Sequence, residues 1–184
     1  MKKLIGALAA SGTLMVSGSA LAAEPATANS IQLGLGFRYG IEMNEGDFNP
    51  WGVGLGVDGG YTLPALPIYV GGTFEYFFGD SQGDDDAGMK GNAWHLMAEG
   101  GYDIGVGDSF VLRPKLGAGL GTLRTELCAA GNCASDSQTN LALAPGVKAI
   151  LLLPKVRLSV DARYALIFAD ETGKALILSA GIGF

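Results

Sequence analysis

The residues of this chain best equipped for chemistry are charged side chains spread along segments of alternating character: Arg38, Asp58, Glu75, Glu99, Asp103, Arg113, Lys115, Lys148, Arg157, Asp161 and Arg163. Bases and acids are nearly balanced in this set. Held together away from water, such groups persist only when paired and hydrogen-bonded, so the expectation is a salt-bridge network. The same residues could instead line a path for ions. His95 is the only histidine. Lipid-modifying chemistry needs a nucleophile or activated water beside a histidine that a carboxylate positions. No histidine-serine motif accompanies His95, so catalysis is not expected, nor is a cofactor.

Two further groups carry possible chemistry. Asp80, Asp84, Asp85 and Asp86 crowd into GDSQGDDDAGMKG. Carboxylates at this density can share a divalent cation, but the terminal glutamate of a calcium loop is missing, and a solvated acidic loop is expected. Cys128 and Cys133 lie close together in LCAAGNCAS. In an oxidising compartment such a pair becomes a disulfide, and without a nearby histidine it makes a poor zinc site. No metal is expected.

The compartment follows from the start of the chain. Lys2 and Lys3, an apolar run over 4–16 and Ala20-Leu21-Ala22 form the pattern of a cleaved secretory signal peptide, assigned to residues 1–22. Without it, 10 of the 12 basic residues remain against 18 acidic ones. That balance excludes nucleic acid as a partner, since phosphates require a basic face. No later stretch is long and apolar enough for a transmembrane helix; LALAPGVKAILLLP is broken by Pro145, Gly146 and Lys148.

Alternation of period two organises the remainder. Ile31, Leu33, Leu35, Phe37, Tyr39 and Ile41 oppose Gln32, Gly34, Gly36, Arg38, Gly40 and Glu42, which is a strand. Seven more segments repeat it: Trp51 to Leu63, Ile68 to Phe78, Trp94 to Ile104, Phe110 to Gly121, Asn140 to Leu151, Val156 to Leu166 and Ala175 to Phe184. Glycine runs such as WGVGLGVDGGY and LGAGLGT belong to strand faces; no helix follows them, as phosphate binding requires. Pro114 and Pro145 fall on the apolar face and are expected to mark bulges or lost hydrogen bonds. Counting back from the turns sets Lys148 opposite Asp161, and Glu99 diagonally between Arg113 and Lys115.

Connections alternate between long (43–50, 79–91, 125–138, 167–173) and short (64–67, 105–108, 153–155). This is the pattern of an up-and-down barrel that crosses a membrane. A soluble barrel would also alternate, so the second face decides. It carries glycine, alanine and serine punctuated by the charges named above, which suits the cramped inside of an eight-stranded barrel. The apolar face then meets hydrocarbon, with Trp51, Tyr61, Tyr39, Tyr76, Trp94, Tyr102 and Phe184 expected near the interfaces. The fold expected is all-β: an eight-stranded antiparallel transmembrane β-barrel over residues 30–184, after a short periplasmic segment, 23–29.

With its signal peptide, eight amphipathic strands, long-short loops and terminal phenylalanine in ILSAGIGF, the chain resembles the OmpA/OmpX/Opa-type small outer-membrane barrels. The resemblance covers essentially the whole mature chain. It implies a monomer in the bacterial outer membrane among lipid and lipopolysaccharide. It also implies that the barrel-assembly machinery reads Phe184 with Ile182, although Ser179 replaces the family's usual glycine. The chain ends at Phe184, without the peptidoglycan-binding domain that follows the barrel in OmpA. The implied role is structural and surface-binding, through loops whose ligand the sequence does not name. The alternatives are a narrow channel or a conduit for small hydrophobic molecules, as in OmpW-type barrels, and a lipid-modifying enzyme dependent on His95.

Overall fold

The computed structural model describes residues 31–44, 49–64, 66–84, 87–129, 132–169 and 172–184. The expected signal peptide and periplasmic segment lie outside them, as do Asp85, Asp86 and the side chain of Asp84. Among the described residues, nine strands form one sheet: β1 (Ile31–Glu42), β2 (Gly52–Thr62), β3 (Ile68–Asp84), β4 (Ala87–Tyr102), β5 (Ile104–Val106), β6 (Phe110–Ala129), β7 (Asn132–Leu152), β8 (Arg157–Ile167) and β9 (Gly173–Gly183). Every neighbouring pair is antiparallel. β1 pairs with β9, and β4 with β6, so the sheet closes on itself.

The barrel has eight walls because β4 and β5 form one wall interrupted at Asp103. Pairing with β6 stops at Gly101↔Lys115 and resumes at Ile104↔Leu112, in unchanged register. The gap faces Arg113 and Pro114, and proline has no N–H to offer the ladder. On β7, Leu143↔Leu166 and Gly146↔Arg163 pair while Ala144 and Pro145 do not. Both prolines thus cost pairing and leave register intact. The register shift lies elsewhere, between Phe78 and Ser81 on β3.

Period-two alternation sets the two faces. On β1, Leu33 and Phe37 are 63% and 69% exposed, whereas Gln32 and Arg38 are buried. An apolar outer belt of this kind continues through Val53, Leu55, Val57, Val70, Phe74, Leu96, Leu116, Leu120 and Val160. So large an apolar surface is stable only against lipid or a partner.

Trp51 departs from the expected lipid-facing position: it is wholly buried inside the barrel. Gly52 has φ +55°, a left-handed conformation that side-chain-bearing residues rarely adopt. The turn breaks the parity of the strand one residue before the ladder begins at Gly40↔Gly52, and the indole folds inward.

Two expected loops are also largely strand. The β3–β4 and β6–β7 ladders run on to Asp84↔Ala87 and Ala129↔Asn132, through most of 79–91 and 125–138. Above the apolar belt both faces of a hairpin meet water, so no hydrophobic alternation marks it in the sequence.

Candidate functional site

Three layers of side chains fill the lumen. At the short-turn end, Arg113 on β6 meets Asp103 with Nε–Oδ1 2.5 Å and Nη2–Oδ2 2.9 Å. This is a bidentate, charge-assisted pair. Arg113 Nη2 also donates to Gln32 Oε1 at 3.1 Å, Gln32 Nε2 to Thr62 Oγ1 at 3.0 Å, and Thr62 Oγ1 to Asp103 Oδ2 at 2.8 Å. The Arg113 guanidinium carbon lies 3.7 Å from the centroid of the Tyr69 ring, a cation–π contact. Gly60 leaves space for that ring: a Cβ there would collide with Tyr69 Cε2 and Oη.

The middle layer is a continuous chain of ion pairs. Lys148 Nζ lies 2.8 Å from Asp58 Oδ2, and Arg38 Nη2 3.5 Å from Asp58 Oδ1. Arg38 Nε reaches Glu75 Oε1 at 2.5 Å, and Arg163 Nη2 contacts the same oxygen. Arg163 continues to Glu99 (3.4 Å) and Asp161 (3.3 Å), and Lys115 bridges those two carboxylates at 3.0 and 2.7 Å. Four cations meet four anions, so the layer is electrically neutral. Glycines give the long side chains room; a Cβ on Gly56 would lie 2.9 Å from Arg38 Nε.

Register and partnership differ here. Lys148 stands opposite Asp161 on the β7–β8 ladder, as counting from the turn requires, yet its ammonium crosses to Asp58. Glu99 pairs with Gly117 across the ladder, three residues from the expected position between Arg113 and Lys115. It bonds Lys115, while Arg113 belongs to Asp103 in the layer below. Arg157, near the β7–β8 turn, lines a small cavity with Gln32 and Asp58.

The third layer, at the long-loop end, is apolar. Trp51, Phe77, Ala93, Ala165, Ile167, Ala175 and Ile177 are fully buried there, with Ala142 almost so. The Trp51 ring lies 5.5 Å from Phe77 and 4.9 Å from His95. His95 Nδ1 is 3.6 Å from Glu75 Oε2, too far for a hydrogen bond, and neither ring nitrogen has a hydrogen-bond partner among the described residues. No hydroxyl or thiol is hydrogen-bonded to this imidazole among the described residues. Sequence reasoning did not assemble this layer. Its signal was the apolar residues Phe77 and Ile177 on the face otherwise carrying charge.

Outside the lumen, Cys128 and Cys133 are joined by a disulfide between directly paired residues at the end of the β6–β7 hairpin. Glu126 lies beside it, but with both sulfurs bonded to each other no thiolate remains for a metal. Asp80 lies within the β3 irregularity between Phe78 and Ser81, and its N–H donates to Asn49 O at 2.9 Å. At the chain end, Phe184 N donates to Leu33 O at 2.9 Å, and the Phe184 ring points outward, as does Ile182.

A closed eight-walled barrel with an apolar exterior and an ion-paired interior is the geometry of a bacterial outer-membrane protein. The family model described as the outer membrane protein beta-barrel domain matches residues 7–184. The chain belongs to this family. No curated protein sequence matches it.

Among solved structures, this outer-membrane barrel is similar to a major outer membrane protein of Thermus thermophilus, with TM-score 0.63 and 15% identity over 84% of this chain and 99% of that one. Ail, the attachment invasion locus protein of Yersinia pestis, in complex with the heparin analogue sucrose octasulfate, gives TM-score 0.60 and 21% identity over 84% and 97%. Neisserial surface protein A gives 0.58 and 16% over 83% and 94%. At these identities the likeness is one of fold. In barrels of this class short turns face the periplasm and long connections face outward. The apolar layer of this barrel is thus its outer layer, and the extended β3–β4 and β6–β7 hairpins project from the cell.

Proposed function

We propose that the protein is a closed, non-catalytic surface barrel that supports the outer membrane and binds a partner through its projecting wall. The observation that carries this reading is the unequal height of the barrel. β6 and β7 pair up to Ala129↔Asn132, whereas β7–β8 pairing ends at Ala142↔Ile167. Over Asn132–Asn140, β7 therefore has a ladder partner on one side only. Its side chains there, among them Ser135, Asp136, Ser137 and Gln138, are exposed. A free edge of this kind can accept an extended segment of another chain, with backbone hydrogen bonds supplying affinity. Its polar side chains discourage indiscriminate pairing.

Charge narrows the partner. The outward connections hold Glu45, Asp47, Asp80, Asp84, Asp85, Asp86, Glu126, Asp136, Asp170 and Glu171 against Lys90, Arg124 and Lys174. A sulfated polyanion, such as the one bound by Ail, is repelled by this rim. A basic extended segment fits it.

In the same reading the ion-paired lumen is a plug that fixes strand register, lipid and lipopolysaccharide surround the apolar belt, and Phe184 with Ile182 is the signal for the assembly machinery. Replacing residues 124–138 by a short turn tests the surface role. Heat-modifiable gel mobility should persist while binding of cells to basic peptides and host surfaces falls; undiminished binding would overturn it. In planar bilayers the intact protein should show no steady conductance, and a reproducible open pore would overturn the plug.

A further inference from the structure

On the lipid-facing wall the apolar belt is interrupted by a recess. Gly59 of β2 stands directly opposite Gly72 of β3, and Gly72 opposite Ala98 of β4, so three neighbouring strands present almost no side chain at one level. Val57, Phe74 and Leu96 are exposed beside them. The recess holds about 440 Å³ and is lined in part by Leu33, Gly59, Gly72, Phe74, Leu96 and Phe184. Asp58 also borders it, but that carboxylate is turned to Lys148 and Arg38 in the lumen. A second recess, of about 280 Å³, shares Leu35, Val57 and Phe74 with the first and reaches Leu55 and Tyr76. The two form one furrow, which follows β2 from Gly59 to Leu55, roughly 13 Å at the rise of a strand.

Glycine inside a strand often marks a bulge or a place where another group approaches closely. The β2–β3 ladder runs unbroken from Val53↔Phe78 to Thr62↔Tyr69, so no bulge accounts for the Gly59–Gly72 pair. Its backbone is held from the lumen side: Thr73 Oγ1 donates to Val57 O at 3.2 Å, and Tyr69 Oη to Gly59 O at 3.3 Å. Outside, room remains. Among the described residues, a Cβ on Gly72 would meet only Met97 O, at 3.1 Å, and one on Gly59 would meet the tip of Leu33 at 3.1 Å and Gln32 O at 3.6 Å.

Gly59 lies three residues from Thr62, where β2 ends at a short turn, roughly 10 Å along the strand. The furrow therefore opens in the periplasmic half of a band about 25 Å tall, where an outer membrane is built of phospholipid. An empty recess in hydrocarbon forfeits dispersion contacts along its whole lining. A second copy fills it poorly, because a two-fold interface sets each patch against itself and would face furrow with furrow. One acyl chain matches its elongated form and apolar walls. We propose that the Gly59–Gly72 furrow is a binding site for a single acyl chain of a phospholipid in the periplasmic leaflet. The site rests on the reading above that lipid surrounds the apolar belt, and it singles out one place on that belt where a chain is held.

Full-length protein in phosphatidylethanolamine–phosphatidylglycerol vesicles, with a trace of phospholipid carrying a photoreactive acyl chain, tests it. Labelling at Phe74 and Leu96 should exceed that at Val160, also exposed but on β8, about fivefold, the factor for about six extra carbon contacts. Gly59→Leu fills the furrow and should abolish the excess with heat-modifiable mobility unchanged. Even labelling around the wild-type belt overturns the site, as does an excess that survives Gly59→Leu in folded protein. If Gly59→Leu does not fold, the wild-type distribution alone decides. Disulfide-linked dimers of Leu33→Cys at high lipid-to-protein ratio overturn it in favour of a second copy. An excess given by a photoreactive free fatty acid and not by the phospholipid overturns the assigned source. Absence of labelling anywhere on the belt overturns the lipid-facing reading instead, so the two failures are distinct.

Discussion

Lys148 stands directly opposite Asp161 on the β7–β8 ladder, yet its ammonium lies 2.8 Å from Asp58, a residue 90 positions away across the lumen. Asp161 is already engaged by Lys115 and Arg163. Curvature of a closed barrel turns inward-pointing side chains toward the opposite wall, so nearest ladder partners need not be nearest charges.

A double-mutant cycle exposes this choice. The coupling energy between Asp58→Asn and Lys148→Met is expected at about 1–2 kcal/mol, below the fully buried range because both groups are partly reached by water. The cycle of Asp161→Asn with Lys148→Met should show less. Urea unfolding in lipid vesicles provides the measurement, and the reverse ranking would contradict the geometry.

Glu75 is the least replaceable member of the ion-pair layer. It is fully buried and receives both Arg38 and Arg163. Glu75→Gln removes the charge but keeps the volume, leaving two guanidinium groups undercompensated. A loss of about 3–5 kcal/mol in unfolding free energy is expected. A loss below about 1 kcal/mol would mean that water enters and screens the layer.

Gly60 and Tyr69 are sterically coupled. Gly60→Ala drives a methyl into the Tyr69 ring and should destabilise by about 1–3 kcal/mol, as overpacking does. In a Tyr69→Ala background the same change should cost little. Equal costs in both backgrounds would place the ring elsewhere.

The Cys128–Cys133 disulfide should be dispensable for the barrel. Its residues have a sequence separation of 5, and the hairpin ladder already holds them together. On chain-entropy grounds its share is at most about 2 kcal/mol, confined to the projecting tip. The Cys128→Ser/Cys133→Ser double variant should keep full heat-modifiable mobility while protease cutting near the hairpin tip accelerates. Loss of the folded gel band would show that the tip and barrel fold as one unit.

Much of the fold is legible in the sequence because a barrel strand has only two faces. Parity from Ile31 to Glu42 separates Phe37 from Arg38, and the same rule predicts which face Asp58, Glu75, Glu99, Arg113 and Arg163 occupy. Alternating glycines likewise signal an interior that must hold long side chains. Where parity stops informing, so does the sequence. Residues 125–138 look like a loop because both faces of the β6–β7 hairpin meet water there, and nothing selects apolar side chains on one of them.

Two features were decided by tertiary structure alone. The left-handed turn at Gly52 takes Trp51 off the parity of β2 and places its indole against Phe77 and His95. The pairing of Lys148 with Asp58 depends on the width and curvature of the closed barrel, which bring β2 and β7 face to face across the lumen. Sequence determined which residues point inward, because side-chain direction along a strand is local. Which of them meet was set by closure, because those distances span the whole sheet.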